Sequence, residues 1–124
     1  MSQETPTTPA DECKHISLSR ARAILAETNV NEAAQKFATL FKHGTLKVGL
    51  YEPVKIDLQT LHLQDEAYII LDGTGIFEMG DERVPFAPGD FLFVAAGVPH
   101  RFTQFGDSMT TWVIFYGPDG GEAA

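Results

Sequence analysis

The sequence is poor in cysteine and in positive charge, and it has no long apolar run. A single cysteine, Cys13, excludes an internal disulfide framework and any cysteine-rich zinc site, and it suits a reducing cytoplasm. No apolar stretch approaches the roughly 20 residues that a membrane helix needs. The first residues, MSQETPTTPADEC, have neither a basic start nor an apolar core, so they are not expected to act as a secretion signal. Nine basic residues face 17 acidic ones, a net charge of −8, which repels polyphosphate and makes nucleic acids and anionic membranes poor partners. What is present is apolar: 44% of the 124 residues are hydrophobic and 10% aromatic, enough for one domain with a core.

Residues 1–12 hold Thr, Pro, Ser and acids with little to bury, and are expected to form a mobile tail. One helix is expected over about 17–29, in ISLSRARAILAET, where Ala, Leu and Arg favour it and Ser17 or Ser19 can cap it. From Lys36 onward the pattern alternates. Phe37 to Phe41 and Leu46 to Leu50 flank His43-Gly44 as a hairpin. Further strands run Glu66–Leu71, Ile76–Met79, Arg83–Phe86, Phe91–Val94, Arg101–Gln104 and Met109–Tyr116, each followed by a Gly-containing turn. About eight short strands with turns every 7–12 residues or so make an antiparallel sandwich or barrel. Segments such as AYIIL and FLFV are apolar on both faces, so one face meets the core and the other a helix, a second sheet or another subunit. A homodimer is therefore expected, because monomers rarely expose large apolar patches. The domain spans 13–118, with 119–124 a mobile C-terminal tail.

Four histidines are available. His43 falls in a turn and His15 beside the tail, whereas His62 and His100 each lie at a strand edge. His62 and Glu66 would be about 13–14 Å apart on a straight strand, too far to share an ion whose ligands lie about 2.0–2.2 Å from it. A turn at Gln64-Asp65 would bring them together, and His100 would open a third strand after Ala96-Gly97-Val98-Pro99. Two imidazoles and one carboxylate suit Fe, Mn, Zn, Ni or Co; the spacing is equally that of two surface histidines and an acid. By strand parity Glu66 and Tyr68 share one face, as do His100, Phe102 and Gln104. If a metal sits there, Tyr68, Phe102 and Gln104 line its cavity.

His62, Glu66 and Gly73, with Glu66 and Gly73 separated by six residues, resemble the second half of the first cupin motif. Gly89-Asp90, Phe91–Val94 and Ala95-Ala96-Gly97-Val98-Pro99-His100 resemble the second. The similarity runs roughly from Gly44 to Pro118 and is that of a small single-domain bacterial cupin. It implies an all-β fold: an antiparallel β-barrel (a double-stranded β-helix, jelly-roll-like) with a short N-terminal helix. It implies His62, Glu66 and His100 as ligands of a divalent transition metal, three of the usual four. The family's first histidine falls at Thr60, its opening glycine at Val54, the usual proline of the second motif at Ala95 and the usual asparagine at Gln104. Three outcomes follow: the position stays open and Thr60 acts beside the metal through a bound water, another group such as Gln59 fills it, or the site is a polar pocket that no longer holds metal. The cupin fold serves dioxygenases, isomerases and non-catalytic modules alike, so two functions are expected: a metal-dependent enzyme acting on a small oxygen-bearing metabolite, or a metal- or small-molecule-binding module without catalysis.

Overall fold

The computed structural model describes residues 14–31, 35–57 and 62–123. Among the described residues one helix, α1 (Leu18–Ala26), precedes eight strands: β1 (Gln35–His43), β2 (Leu46–Pro53), β3 (Asp65–Asp72), β4 (Gly75–Met79), β5 (Glu82–Phe86), β6 (Phe91–Val94), β7 (His100–Thr103) and β8 (Thr110–Tyr116). The strands form a five-stranded sheet, β1-β2-β8-β3-β6, and a three-stranded sheet, β5-β4-β7. Every pairing is antiparallel. The strands that pair across the sequence, β2 with β8 and β3 with β8, give the jelly-roll crossover. Among the described residues the eight strands are divided between two sheets and do not close into one hydrogen-bonded ring.

The helix is shorter than its sequence pattern. Ser17 caps it by accepting from the Arg20 N–H at 3.1 Å. It stops at Glu27, whose N–H reaches the Ala23 and Ile24 carbonyls at 3.3 and 3.2 Å, and the Thr28 hydroxyl donates to the same Ile24 carbonyl at 3.0 Å. Ala21 and Leu25 pack on Ala38 and Leu50, so α1 covers the outer side of β1 and β2. Alternation along β2 therefore sends Leu50 to the helix and Tyr51 into the main core, which lies between the sheets. That core is aromatic at its centre: Phe77 and Phe102 have ring centroids 4.6 Å apart, and Tyr68 meets Phe102 edge-on at 5.0 Å.

The hairpin predicted at His43-Gly44 forms one residue later. His43 pairs with Leu46, and Gly44 turns the chain at φ +60°. At Gly73 φ is +98°, and a Cβ there would lie 2.7 Å from Met109 Cβ, so only glycine fits the β3–β4 turn.

Candidate metal centre

The bend that brings His62 to Glu66 lies at Leu63 and Gln64, with Asp65 already the first residue of β3. Side-chain amides and carboxylates hold it. Gln64 Nε2 donates to the Thr45 carbonyl at 3.0 Å and to the Gly117 carbonyl at 2.9 Å. The Asp65 carboxylate accepts the N–H groups of Ala96 and Glu122, both at 2.8 Å. These two backbone donors keep the Asp65 carboxyl below its ordinary range. The Gly97 N–H donates to the His62 carbonyl at 2.9 Å, which ties the loop before His100 to the segment carrying His62. Two sequence-distant loops are thereby locked to each other at the mouth between the sheets.

The structure brings His62, Glu66 and His100 together: one ligand atom from each lies within 4.8 Å of the others. Glu66 Oε2 is 3.6 Å from His62 Nε2, and Glu66 Oε1 is 2.7 Å from His100 Nε2. Ligand atoms in adjacent positions on one ion at about 2.1 Å lie roughly 3 Å apart, so both separations suit a shared metal. Glu66 is 1% exposed, and Tyr68 donates its hydroxyl to Oε1.

His100 Nδ1 lies 2.8 Å from the Val98 carbonyl. A carbonyl only accepts, so Nδ1 carries a proton and the neutral ring presents the Nε2 lone pair to Glu66. A lone pair against a carboxylate is repulsive. Either a second proton or a cation must lie between them. In the bare chain burial pushes the His100 pKa down, but Glu66 and the Val98 carbonyl outweigh it and leave the ring raised. His62 moves the other way, lowered by its partial burial against the pull of Glu66. Burial and Glu66 together push the Tyr68 hydroxyl well up.

Glu66 Oε2 and His100 Nε2 are buried atoms without a hydrogen-bond partner among the described residues. The 2.7 Å approach of His100 Nε2 to Glu66 Oε1 does not have hydrogen-bond alignment. Buried polar atoms of native proteins are rarely left in this state. The donor set, two imidazole nitrogens and one carboxylate, fits a divalent transition metal.

The other residues expected around the site divide. Tyr68 touches Glu66 and lines a small cavity of about 100 Å³ with His62 and Tyr51. Phe102 is buried in the aromatic core, 5.0 Å from Tyr68. Gln104 does not join them: β7 ends at Thr103, and Gln104 is exposed at φ +56°, so strand parity no longer sets its direction. Thr60 lies outside the described residues.

Two polar residues near the site were not singled out from sequence. Asp57, 2% exposed, accepts the Tyr51 hydroxyl through one oxygen and the Phe102 N–H at 2.8 Å through the other. Tyr51 also receives Gln35 Nε2 at 3.1 Å, and burial first, then Asp57, pushes its pKa up. The inward parity of Tyr51 was readable from β2; Asp57 sits in an aperiodic loop with no local signal.

A family model described as a Cupin domain matches residues 49–116, more than half of the chain. An uncharacterized protein of Streptomyces coelicolor is 30% identical over 96 residues, covering 76% of this chain and 90% of its own. Acireductone dioxygenase of Gallus gallus is 44% identical over 48 residues, 35% of this chain; that match spans only 27% of the dioxygenase. Among solved structures, TT1209 from Thermus thermophilus superposes with a TM-score of 0.65 at 21% identity, over 84% of this chain and 97% of that one. Fe(II) HppE superposes at 0.57 and 18% identity, over 66% of this chain and 50% of its own. With a jelly roll of two antiparallel sheets and a family match running from β2 to the end of β8, the chain belongs to the cupin family.

Proposed function

We propose that the chain is a metal-dependent cupin that holds one divalent transition metal (Fe, Mn, Zn, Ni or Co) through His62, Glu66 and His100, and acts on a small oxygen-bearing metabolite in a dioxygenase- or isomerase-type reaction. The observation that carries this reading is a pair of buried atoms without a hydrogen-bond partner among the described residues, Glu66 Oε2 and His100 Nε2, gathered with His62. The partial similarity to acireductone dioxygenase and the shared fold with Fe(II) HppE support it. Such a metal, when bound, polarises an oxygen-bearing substrate or, if redox-active, activates dioxygen. The chain's own residues set the stage. Val98 fixes the His100 tautomer, Tyr68 holds one oxygen of Glu66, and the aromatic walls of Phe77 and Phe102 keep water from the buried side.

A second reading, a metal- or small-molecule-binding module without catalysis, is favoured by one observation. The hydroxyls beside the cluster are engaged, Tyr68 with Glu66 and Tyr51 with Asp57, and neither is idle as a general acid. Elemental analysis of untagged protein tests the metal. We expect about one ion per chain in the wild type and none in the His62→Ala, His100→Ala double variant; equal content in both overturns the assignment. Iron would favour oxygen chemistry, and metal retained without turnover would favour the module.

The chain is further proposed to pair with a second copy. Phe91 and Phe93 are 64% and 44% exposed on β6, the edge of the five-stranded sheet, and Ile69 lies opposite Phe91 on β3. An exposed apolar edge strand invites cover. Light scattering is expected to give twice 13.6 kDa for the wild type and a monomer for Phe91→Glu; a wild-type monomer at micromolar concentration refutes the pairing. Among the described residues no helix is long and apolar enough to cross a membrane. The single cysteine supports a reducing, cytoplasmic setting.

A further inference from the structure

An open cleft of about 470 Å³ leads to the metal-ligand cluster from outside, within the size range of small-molecule sites. Its walls are Phe37, Phe115 and Leu63, and His62 forms part of its lining. The smaller cavity behind it shares Phe37, His62 and Phe115 and adds Tyr51 and Tyr68. Among the described residues one lysine or arginine lines the outer cleft: Lys47, on β2, paired in register with Phe115 of β8. Its position follows from alternation, since residues 47, 49 and 51 share a face and Tyr51 points into the core. Lys47 Nζ stands 4.9 Å from the Phe115 ring centroid and 5.7 Å from that of Phe37. The His62 ring stands 5.0 Å from the same Phe115 ring. One aromatic side chain thus separates an ammonium group from a metal-ligating imidazole.

Lys47 is half-buried and makes no ion pair within 4.0 Å among the described residues, although Asp119 lines the same cleft. The other polar side chain of the wall, Gln64, spends its Nε2 on two backbone carbonyls. A half-buried lysine whose ammonium stands over two aromatic rings gives the cleft a positive spot on a chain of net charge −8. One cation with a carboxylate nearby matches a monoanion better than a phosphate dianion, which usually takes several donors.

We propose that Lys47 is the anion-binding end of the substrate cleft, so that the chain takes a small monocarboxylate with an apolar body. The carboxylate meets Lys47, the body lies between Phe37 and Phe115, and the far end faces His62. This deepens the function proposed above and rests on it for what happens at the inner end; the carboxylate subsite itself needs only Lys47 and the two rings.

The test uses the full chain freed of metal by chelation. Isothermal titration calorimetry at low ionic strength would compare benzoate, phenylacetate and 3-phenylpropionate with uncharged phenylacetamide and with inorganic phosphate. At least one of the acids is expected to bind the wild type and to lose about tenfold or more in affinity in Lys47→Met. Lys47→Arg should keep most of that affinity, and phenylacetamide should bind wild type and Lys47→Met alike. Unfolding midpoints of both variants establish that they fold. The proposal is overturned if none of the acids binds the wild type, if Lys47→Met binds them unchanged, or if phosphate binds more tightly than all three. Elemental analysis of the same preparations before chelation separates the two readings. Lys47-dependent binding by a protein that never held metal sustains the subsite without the metal centre, and a metal-loaded protein indifferent to Lys47 does the reverse.

Discussion

Replacing Glu66 by Gln keeps the shape of the side chain and an oxygen for the Tyr68 hydroxyl, but removes the charge facing His100. In the metal-free chain the His100 pKa is raised because Glu66 and the Val98 carbonyl outweigh the burial that lowers it. A group raised above its unfolded value of about 6.5 stabilises the fold below that pH. That contribution disappears as pH rises through the folded pKa. Both side chains are at most 2% exposed, so solvent does little to screen the pair. Leaving a buried charged group without its counter-charge costs on the order of 1–3 kcal/mol, and the wild type should exceed Glu66→Gln by that amount near pH 5.5. The difference should shrink as pH is taken toward 9. His62, already lowered by burial and supported by Glu66, drops further in the variant and adds acid destabilisation of the same sign. Urea unfolding of both proteins at several pH values, with chelator present, measures the difference. A gap that stays flat from pH 5.5 to 9 would refute the His100–Glu66 coupling and, with it, the tautomer argument for the metal.

Phe77 has no exposed surface and packs against Tyr68, Phe102 and His100, so Phe77→Ala should cost about 3–5 kcal/mol in urea unfolding. A loss under about 1 kcal/mol would mean that the sheets are not packed through this residue. Arg22 on α1 pairs with Asp72 at 2.6 Å, but both are well exposed, so Asp72→Asn should cost only some tenths of a kcal/mol at pH 7. The guanidinium's hydrogen bonds hold the Asp72 carboxyl below its ordinary range. Its contribution is therefore present above the unfolded carboxylate pKa of about 3.9 and is lost as pH falls through the folded value. Unfolding curves of wild type and variant should converge in acid.

Much of the fold was legible because β-structure writes its period into the chain. Alternation along Leu46–Leu50 and the short apolar run Phe91–Val94, punctuated by Gly44, Gly73 and Gly89, mark strands and turns without knowledge of what they pair with. The motif spacing also named His62, Glu66 and His100. The sequence could not say which strands become neighbours. Pairing of β8 with both β2 and β3 joins segments far apart in the chain, such as Leu50 with Trp112 and Tyr68 with Val113, and local pattern carries no information about it. Nor could parity reach past the end of a strand: it put Tyr68 on the face of Glu66, whose carboxylate accepts its hydroxyl, but it does not extend to Gln104, which lies beyond β7 at a positive φ. Asp57, which clasps Tyr51 and the Phe102 amide from a loop, and Lys47, which shares the Phe115 ring with His62, acquire their neighbours only when the two sheets face each other. Local periodicity therefore decided which residues point inward, and tertiary packing decided what they meet there.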